Sequence, residues 1–266
     1  MKRSLAIGNV IALIITIVIN YLSNTGFFNG ETIAALSARY PTLFTPASYA
    51  FSIWGLIYVG MLYFTLYQGF AKMPDQERYV SRIGGWFILS CLANSGWVLA
   101  WLYDHTGLSV LIMLLLAFSL WMIILRTDME LTDPPLRTIA SVWWPFCLYA
   151  GWVSIAFFVN LSAWLTKIRW PPFTTAPVAW AIGMTVLAGI LHFTLTWTRN
   201  LRELAFVGVW ALIAIAVADW DRAPAVAWTA LVVSAILFIS SSIHGYRHRE
   251  FNPWRKRIIP TPHPGK

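Results

Sequence analysis

Eight apolar segments of about 20 residues each dominate the sequence and limit what the chain can fold into. They cover residues 4–22, 49–70, 84–103, 107–125, 138–165, 177–197, 203–220 and 224–243. A helix needs about 20 apolar residues to cross the hydrocarbon core of a bilayer. The sequence therefore predicts an all-α fold, a polytopic membrane bundle of about eight transmembrane helices.

The composition excludes a soluble globular domain. Hydrophobic residues make up 58% of the 266 residues and charged residues only 11%. The first apolar segment has the charge pattern of a signal peptide, but no small-x-small cleavage site follows it, so we favour an uncleaved first helix. Cys91 and Cys147 both lie in the middle of predicted spans, which argues against a disulfide framework.

The basic residues predict the orientation of the helices. With the N-terminus inside, fifteen lysines and arginines fall in inside segments and four in outside segments. This bias favours both termini in the cytoplasm, and the expected location is a bacterial cytoplasmic membrane. Because the basic residues, net charge +8, lie between apolar segments, we expect no nucleic-acid partner. Residues 247–266 are interpreted as a basic cytoplasmic tail near anionic lipid.

The first connection, Ser23 to Ser48, is long for such a compact chain. Within it, Glu31 to Arg39 has the pattern of a short helix, and Pro41 and Pro46 favour an extended entry into the second span. Long connections are often lids over binding sites. An ordered connector and a lid are the two interpretations that the pattern leaves open.

The fifth apolar segment has two contrasting faces. At 100° per residue, one continuous stripe forms along the helix. Its members are Pro145, Tyr149, Trp152, Ala156, Asn160 and Trp164. Cys147, Ala150, Gly151 and Ser154 lie on the opposite side, and their small size favours close approach of another helix.

Two other spans carry aromatic stripes, which predict a cavity. Phe51, Trp54 and Tyr58 share a face of the second span, and Asn94 and Trp97 share a face of the third. Either stripe alone is typical of helix packing. Together with the fifth span they indicate an apolar, aromatic-walled cavity with few polar groups, which suits a flat hydrophobic ligand.

Ionisable residues are almost missing from the interior of the spans. No lysine or carboxylate lies there, which argues against a retinal Schiff base and an ion-coupled carrier. His192 is the exception, and a packed, hydrogen-bonded histidine is its simplest interpretation. A rival hypothesis is a lipid-modifying membrane enzyme that uses His192 with Asp219 or Asp221. A facilitator that moves small solutes without ion coupling is a third.

Several motifs resemble the tryptophan-rich sensory protein family, TspO, related to the mitochondrial translocator or peripheral benzodiazepine receptor. Pro46, Trp54 and Tyr58 are similar to its second-span pattern, and Asn94 with Trp97 to its third-span pattern. In the fifth span, the family's Tyr-x-x-Trp-Val-x-x-Ala-x-x-x-Asn-x-x-x-Trp pattern is present in full. It is matched by Tyr149, Trp152, Val153, Ala156, Asn160 and Trp164.

This resemblance implies a domain organisation and a ligand site. Residues 1–165 resemble the family's five-helix ligand-binding bundle, and residues 166–246 add three transmembrane helices. The implied ligands are porphyrins, including haem-like ones, or sterols, with no obligatory cofactor and no metal site. The implied site consists of Pro46, Trp54, Tyr58, Asn94, Trp97, Tyr149, Trp152, Ala156, Asn160 and Trp164.

The resemblance also implies a role. Membrane lipid and a hydrophobic small molecule are the expected partners, and family members commonly form dimers. The expected role is sensing, regulation or transport of the ligand rather than catalysis, since no general acid, base or nucleophile lies near the aromatic residues. Some bacterial members are credited with porphyrin breakdown, so a weak activity of that kind remains an expectation of the resemblance.

Overall fold

The computed structural model describes residues 2–69, 74–132, 134–171 and 175–247 of the chain. Within these ranges the fold is helical, and no β-strand occurs in them. The helices are α1 Lys2–Leu22, α2 Ile33–Arg39, α3 Ile53–Gly69, α4 Pro74–Ile83, α5 Trp86–Leu102, α6 Thr106–Arg126, α7 Trp144–Lys167, α8 Pro177–Arg199, α9 Arg202–Asp219 and α10 Pro224–Arg247. A 3₁₀ turn, Ser48–Ser52, precedes α3, and a short turn with a π segment, Ile139–Trp143, precedes α7.

The all-α prediction is confirmed, and each predicted apolar segment contains a long helix. Most helix ends lie within two residues of the predicted ends, and α10 continues four residues further, to Arg247. The short helix predicted in the first connection is also present as α2, which Thr32 caps by accepting a hydrogen bond from the Ala35 amide. The rest of the predicted tail, 248–266, lies outside the described residues.

The protein is an integral membrane bundle, although its helices differ in how clearly they span. Among the described residues, six helices are long and apolar enough to cross a membrane, and a seventh span results if α4 and α5 count as one bent pair. The helix α9 does not belong to this set. It has 18 residues, with Arg202 and Glu203 at one end and Asp219 at the other.

Helix α9 is instead held by packing against its neighbours. Ten of its 18 residues are buried, and half of these are alanine or glycine. Gly151 of α7 faces it so closely that an added Cβ would lie 2.9 Å from the Leu204 carbonyl oxygen and 3.0 Å from the Val207 Cβ. Small residues permit this approach, as the small face of the fifth apolar segment predicted. This contact packs α9, the middle one of the three C-terminal helices α8–α10, against α7.

A buried carboxylate lies at the end of the bundle opposite the first connection. Glu130 follows α6 in the left-handed backbone region, with φ 61°, and its side chain is 7% exposed, with Arg202 3.9 Å away. Burial raises the pKa of Glu130 to about 8; the negative charge of Glu203 adds to this rise and Arg202 opposes it. The sequence pattern placed Glu130 in a loop and did not indicate that it is buried.

The Gly151 contact predicts a position-specific loss of stability. Gly151→Ala places a Cβ against backbone, so we expect the free energy of unfolding to fall by about 1–3 kcal/mol. Gly183→Ala on α8 is the matched control, because nothing lies within 4 Å of its Cβ position. Thermal unfolding in detergent measures both variants. Equal melting temperatures would contradict the close approach of α7 and α9.

The raised pKa of Glu130 predicts a pH dependence of stability. A carboxyl whose folded pKa lies above its unfolded value stabilises the fold at low pH, and this stabilisation is lost as the pH rises through about 8. We expect the melting temperature to fall between pH 6 and pH 9, and to fall less in Glu130→Gln. The exposed Glu31→Gln is the control and should keep the wild-type dependence. An unchanged pH dependence in Glu130→Gln would contradict the assignment.

Candidate ligand-binding site

A cavity of about 860 Å³ lies at the end of the bundle beneath the first connection. Its wall combines α1, α3, α5 and α7 with the first connection, and Ala218 and Arg222 complete it from the end of α9 and the following turn. This volume falls within the range of pockets that enclose small-molecule ligands. The predicted cavity is therefore present, and residues beyond 165 contribute to it.

Aromatic rings form the inner wall of the cavity in an ordered arrangement. Trp54 and Tyr58 on successive turns of α3 stack with ring centres 5.6 Å apart. Trp97 and Trp101 of α5 stack likewise at 6.3 Å. Trp152 of α7 meets Trp54 edge-on, with centres 6.5 Å apart. Three helices thus present π faces and edges to one space, which suits a flat apolar molecule.

The first connection covers this end of the bundle and is bonded to the C-terminal end of α5. The Trp101 indole donates to the Ile33 carbonyl over 3.3 Å, and the Tyr103 hydroxyl donates to the Phe28 carbonyl over 3.2 Å. The Asn29 amide also donates to the carbonyl of Leu102. The position and lining role of the connection are those expected of a lid.

A charged cluster fastens the same connection to α7. The Tyr40 hydroxyl donates to the Asp104 carboxylate, 2.8 and 3.0 Å from its two oxygens. The Lys167 ammonium lies 3.0 Å from the same carboxylate and 5.8 Å from the centre of the Tyr40 ring. We call Tyr40, Asp104 and Lys167 the latch, because they join the first connection, the α5–α6 turn and the end of α7.

Electrostatics keep the latch charged at neutral pH. Burial alone raises the pKa of Asp104, but the hydrogen bonds from Lys167 and Tyr40 outweigh it and hold the pKa below its ordinary value of 3.8. Burial and the neighbouring Asp104 raise the pKa of Tyr40. The stabilisation by Asp104 is therefore present above its ordinary pKa and is lost only as the pH falls through the lowered one.

The end of the first connection rests on α9. The Ala47 amide donates to the Ala214 carbonyl over 3.0 Å, and the Trp210 indole donates to the Ala50 carbonyl over 3.3 Å. Tyr49 also meets Trp210 edge-on at 5.3 Å. The cover of the cavity is thus held on one side by α5 and α7 and on the other by a helix beyond residue 165.

Seven of the ten predicted site residues lie together on the cavity wall. These are Pro46, Trp54, Tyr58, Trp97, Trp152, Ala156 and Asn160. Asn160 is also fixed to α6, because its amide donates to the Ser109 hydroxyl over 2.9 Å and its oxygen accepts from the same hydroxyl at 3.1 Å. Its polar group is thus largely used inside the protein, and the aromatic residues provide most of the wall.

Three predicted site residues lie outside the lining. Asn94 is fully buried, donating to the Tyr149 hydroxyl over 2.8 Å and accepting from Asn20 at 2.7 Å, so Asn94 and Tyr149 stand behind the wall. Trp164 packs against α6, where its indole nitrogen lies 3.0 Å from a Cβ position at Gly107. Successive members of the predicted stripe are almost four residues apart on average, whereas an α-helix has 3.6 residues per turn. The direction of the side chains therefore rotates by about 100° around α7 from Pro145 to Trp164, and the stripe meets three different neighbours.

His192 occupies a closed, fully bonded position. The ring is buried, with Nδ1 2.8 Å from the Ala188 carbonyl and Nε2 3.2 Å from the Ser154 hydroxyl. An added Cβ at Gly208 of α9 would lie 2.7 Å from the ring. Both nitrogens are occupied and the ring is enclosed, which is the structural role that its sequence context favoured. Among the described residues, no group of three His, Cys, Asp or Glu side chains could hold a metal.

Several lining residues were not predicted from the sequence. They lie on the C-terminal turns of α1, on the first connection and at the end of α9, and include Asn20, Asn24, Ala38, Thr42 and Arg222. The spacing of Asn20 and Asn24 on a span end was a usable signal. Arg222 had no such signal, because its place at the cavity depends on the packing of α9.

The comparison with known families agrees with this architecture. The family described as TSPO-like protein matches residues 6–243. The chain belongs to this family. The match runs through α8, α9 and most of α10, so in this TSPO-like chain it includes the helices beyond residue 165. Neither the curated proteins nor the solved structures gave a match to the sequence.

The latch predicts how firmly the cover is held. Tyr40→Phe removes the hydroxyl but keeps the ring over Lys167, and we expect trypsin to cleave after Arg39 several-fold faster, for a loss of about 1 kcal/mol. Mass spectrometry of timed digests in detergent measures the rate. Tyr63→Phe is the control, because Tyr63 lies exposed on α3. Equal cleavage in Tyr40→Phe and wild type would show that the hydroxyl does not hold the connection.

Proposed function

We propose that this TSPO-like membrane protein binds a flat hydrophobic ligand, a tetrapyrrole or a sterol-like molecule, in the cavity beneath its first connection. The observation that carries the proposal is a cavity of about 860 Å³ lined by stacked aromatic pairs of α3 and α5 and by the edge-on Trp152 of α7. Indole and phenol rings offer a large apolar contact area, and the few polar groups in the wall orient a ligand rather than react with it.

Binding for sensing, regulation or transport fits this site better than catalysis. Within the described part of the chain, no carboxylate or histidine lines the cavity, and a general acid or base must lie within hydrogen-bond reach of the reacting group. The rival lipid-modifying enzyme has little support, since both nitrogens of His192 have partners. Membrane lipid and a second copy of the chain are the further partners in this proposal.

The orientation of the chain is part of the proposal. The bias of fifteen basic residues against four supports cytoplasmic termini. In this orientation the first connection, the latch and Arg222 lie on the outer side of the membrane. A ligand would then enter the cavity from the outer surface or the outer leaflet.

Filling the cavity tests the proposal without removing a helix contact. Ala156→Phe adds a ring at a small lining residue of α7, and we expect the affinity for protoporphyrin IX, followed by tryptophan quenching, to fall at least tenfold because the ring occupies the binding space. Leu111→Phe is the matched control, since Leu111 is 64% exposed on α6. Unchanged affinity in Ala156→Phe, with normal folding, would overturn the proposed site.

A further inference from the structure

One charged residue lines the described part of the aromatic cavity, and it belongs to the C-terminal region of the chain. Among the described residues that line the cavity, Arg222 alone carries a charge, and none is acidic. It lies in the turn between α9 and α10, with its side chain 54% exposed. A cation beside an otherwise apolar wall favours a ligand of opposite charge at that point.

The guanidinium of Arg222 is incompletely used within the protein. The Asp219 carboxylate lies 3.6 Å away, with its side chain fully buried. This distance is longer than a good hydrogen bond, and neither oxygen of Asp219 has a hydrogen-bond partner among the described residues. An arginine has five N–H donors in a planar fork that matches a carboxylate. Most of these donors are therefore available to a ligand.

Three lining residues, Tyr58, Trp97 and Trp152, carry a buried polar atom without a hydrogen-bond partner among the described residues. The indole nitrogens of Trp97 and Trp152 are buried, and neither has a hydrogen-bond partner within the described part of the chain. The side chains are only 8% and 2% exposed, and both line the cavity. A buried donor without a partner is costly, but these nitrogens have almost no accessible surface, so they do not by themselves select a ligand. Among the described lining residues, the wall offers one positive charge and no carboxylate.

We propose that the ligand of this cavity is an anionic amphiphile, with a flat apolar body among the indoles and a carboxylate bound by Arg222. The inference rests on the proposed function, because it specifies the ligand class of the same cavity. In the structure the Arg222 guanidinium is paired with Asp219, so the carboxylate of the ligand competes with the carboxylate of Asp219 for this guanidinium. Arg222 is therefore a specificity-determining residue that selects an acid over its uncharged analogue.

Matched pairs of probes test this inference in nanodiscs of zwitterionic phosphatidylcholine. Protoporphyrin IX is compared with its dimethyl ester, and lithocholic acid with its methyl ester, so that each pair keeps the same ring system and differs in the charged carboxylates and the ester methyl groups. Quenching reports the porphyrins, and competition against protoporphyrin IX reports the steroids. We expect an acid that binds in the cavity to bind about fivefold to tenfold more tightly than its ester. Added salt should reduce this preference.

Three variants assign the preference to Arg222. Arg222→Gln should abolish the difference between acid and ester by weakening the acid alone, whereas Asp219→Asn should increase it by removing the competing carboxylate. The double variant Arg222→Gln/Asp219→Asn leaves no unpaired buried charge and should also lack the preference. Arg169→Gln is the control, because Arg169 is an exposed cation of the α7–α8 connection that does not line the cavity.

The outcomes separate this inference from the proposed function. Equal binding of acid and ester in the wild type, or a preference that survives in both Arg222 variants, would overturn the role of Arg222 while leaving the cavity as a ligand site. Failure of every probe to bind would instead count against the proposed function itself. Loss of the preference in Arg169→Gln as well would show a general surface-charge effect and overturn the specific site.

Discussion

The close approach of α7 and α9 at Gly151 is the contact on which the rest of the structure depends. A glycine fits there because a Cβ would lie only 2.9 Å from the Leu204 carbonyl oxygen of α9. This contact brings α9 against α7. Helix α9 then supports the end of the first connection through Ala214 and Trp210. It also positions the following turn, so that Arg222 reaches the cavity.

The cover over the cavity is held both by apolar burial and by specific polar contacts. Leu36 and Phe44 of the first connection are each 1% exposed, and Phe44 meets Phe158 of α7 edge-on. The Ile33 carbonyl of the connection accepts from the Trp101 indole of α5, the Ala47 amide donates to the Ala214 carbonyl of α9, and the latch adds a carboxylate paired with Lys167. Such contacts are individually worth little when partly exposed, and they can break without unfolding the bundle. Opening of the connection would therefore break these polar contacts and also expose Leu36 and Phe44.

Polar groups inside the bundle have two different roles. Asn94, Tyr149 and Asn160 have hydrogen-bond partners within the protein and hold helices together. The indoles of Trp97 and Trp152 lack such partners among the described residues and face the cavity. A motif position therefore does not by itself separate a packing residue from a lining residue. Asn160 shows this, because it lines the cavity and is also hydrogen-bonded to Ser109.

The sequence by itself determined the helices and much of the aromatic wall. The length and apolar composition of each segment predict where its helix lies. The spacing within a span predicts which side chains share a face, as it does for Trp54 with Tyr58 on α3 and for Trp152 on the stripe of α7. Only the tertiary structure decided that Asn94, Tyr149 and Trp164 face other helices, that Glu130 is buried, and that Arg222 joins the cavity. These features depend on how one helix rotates and packs against another, and no local pattern contains that information.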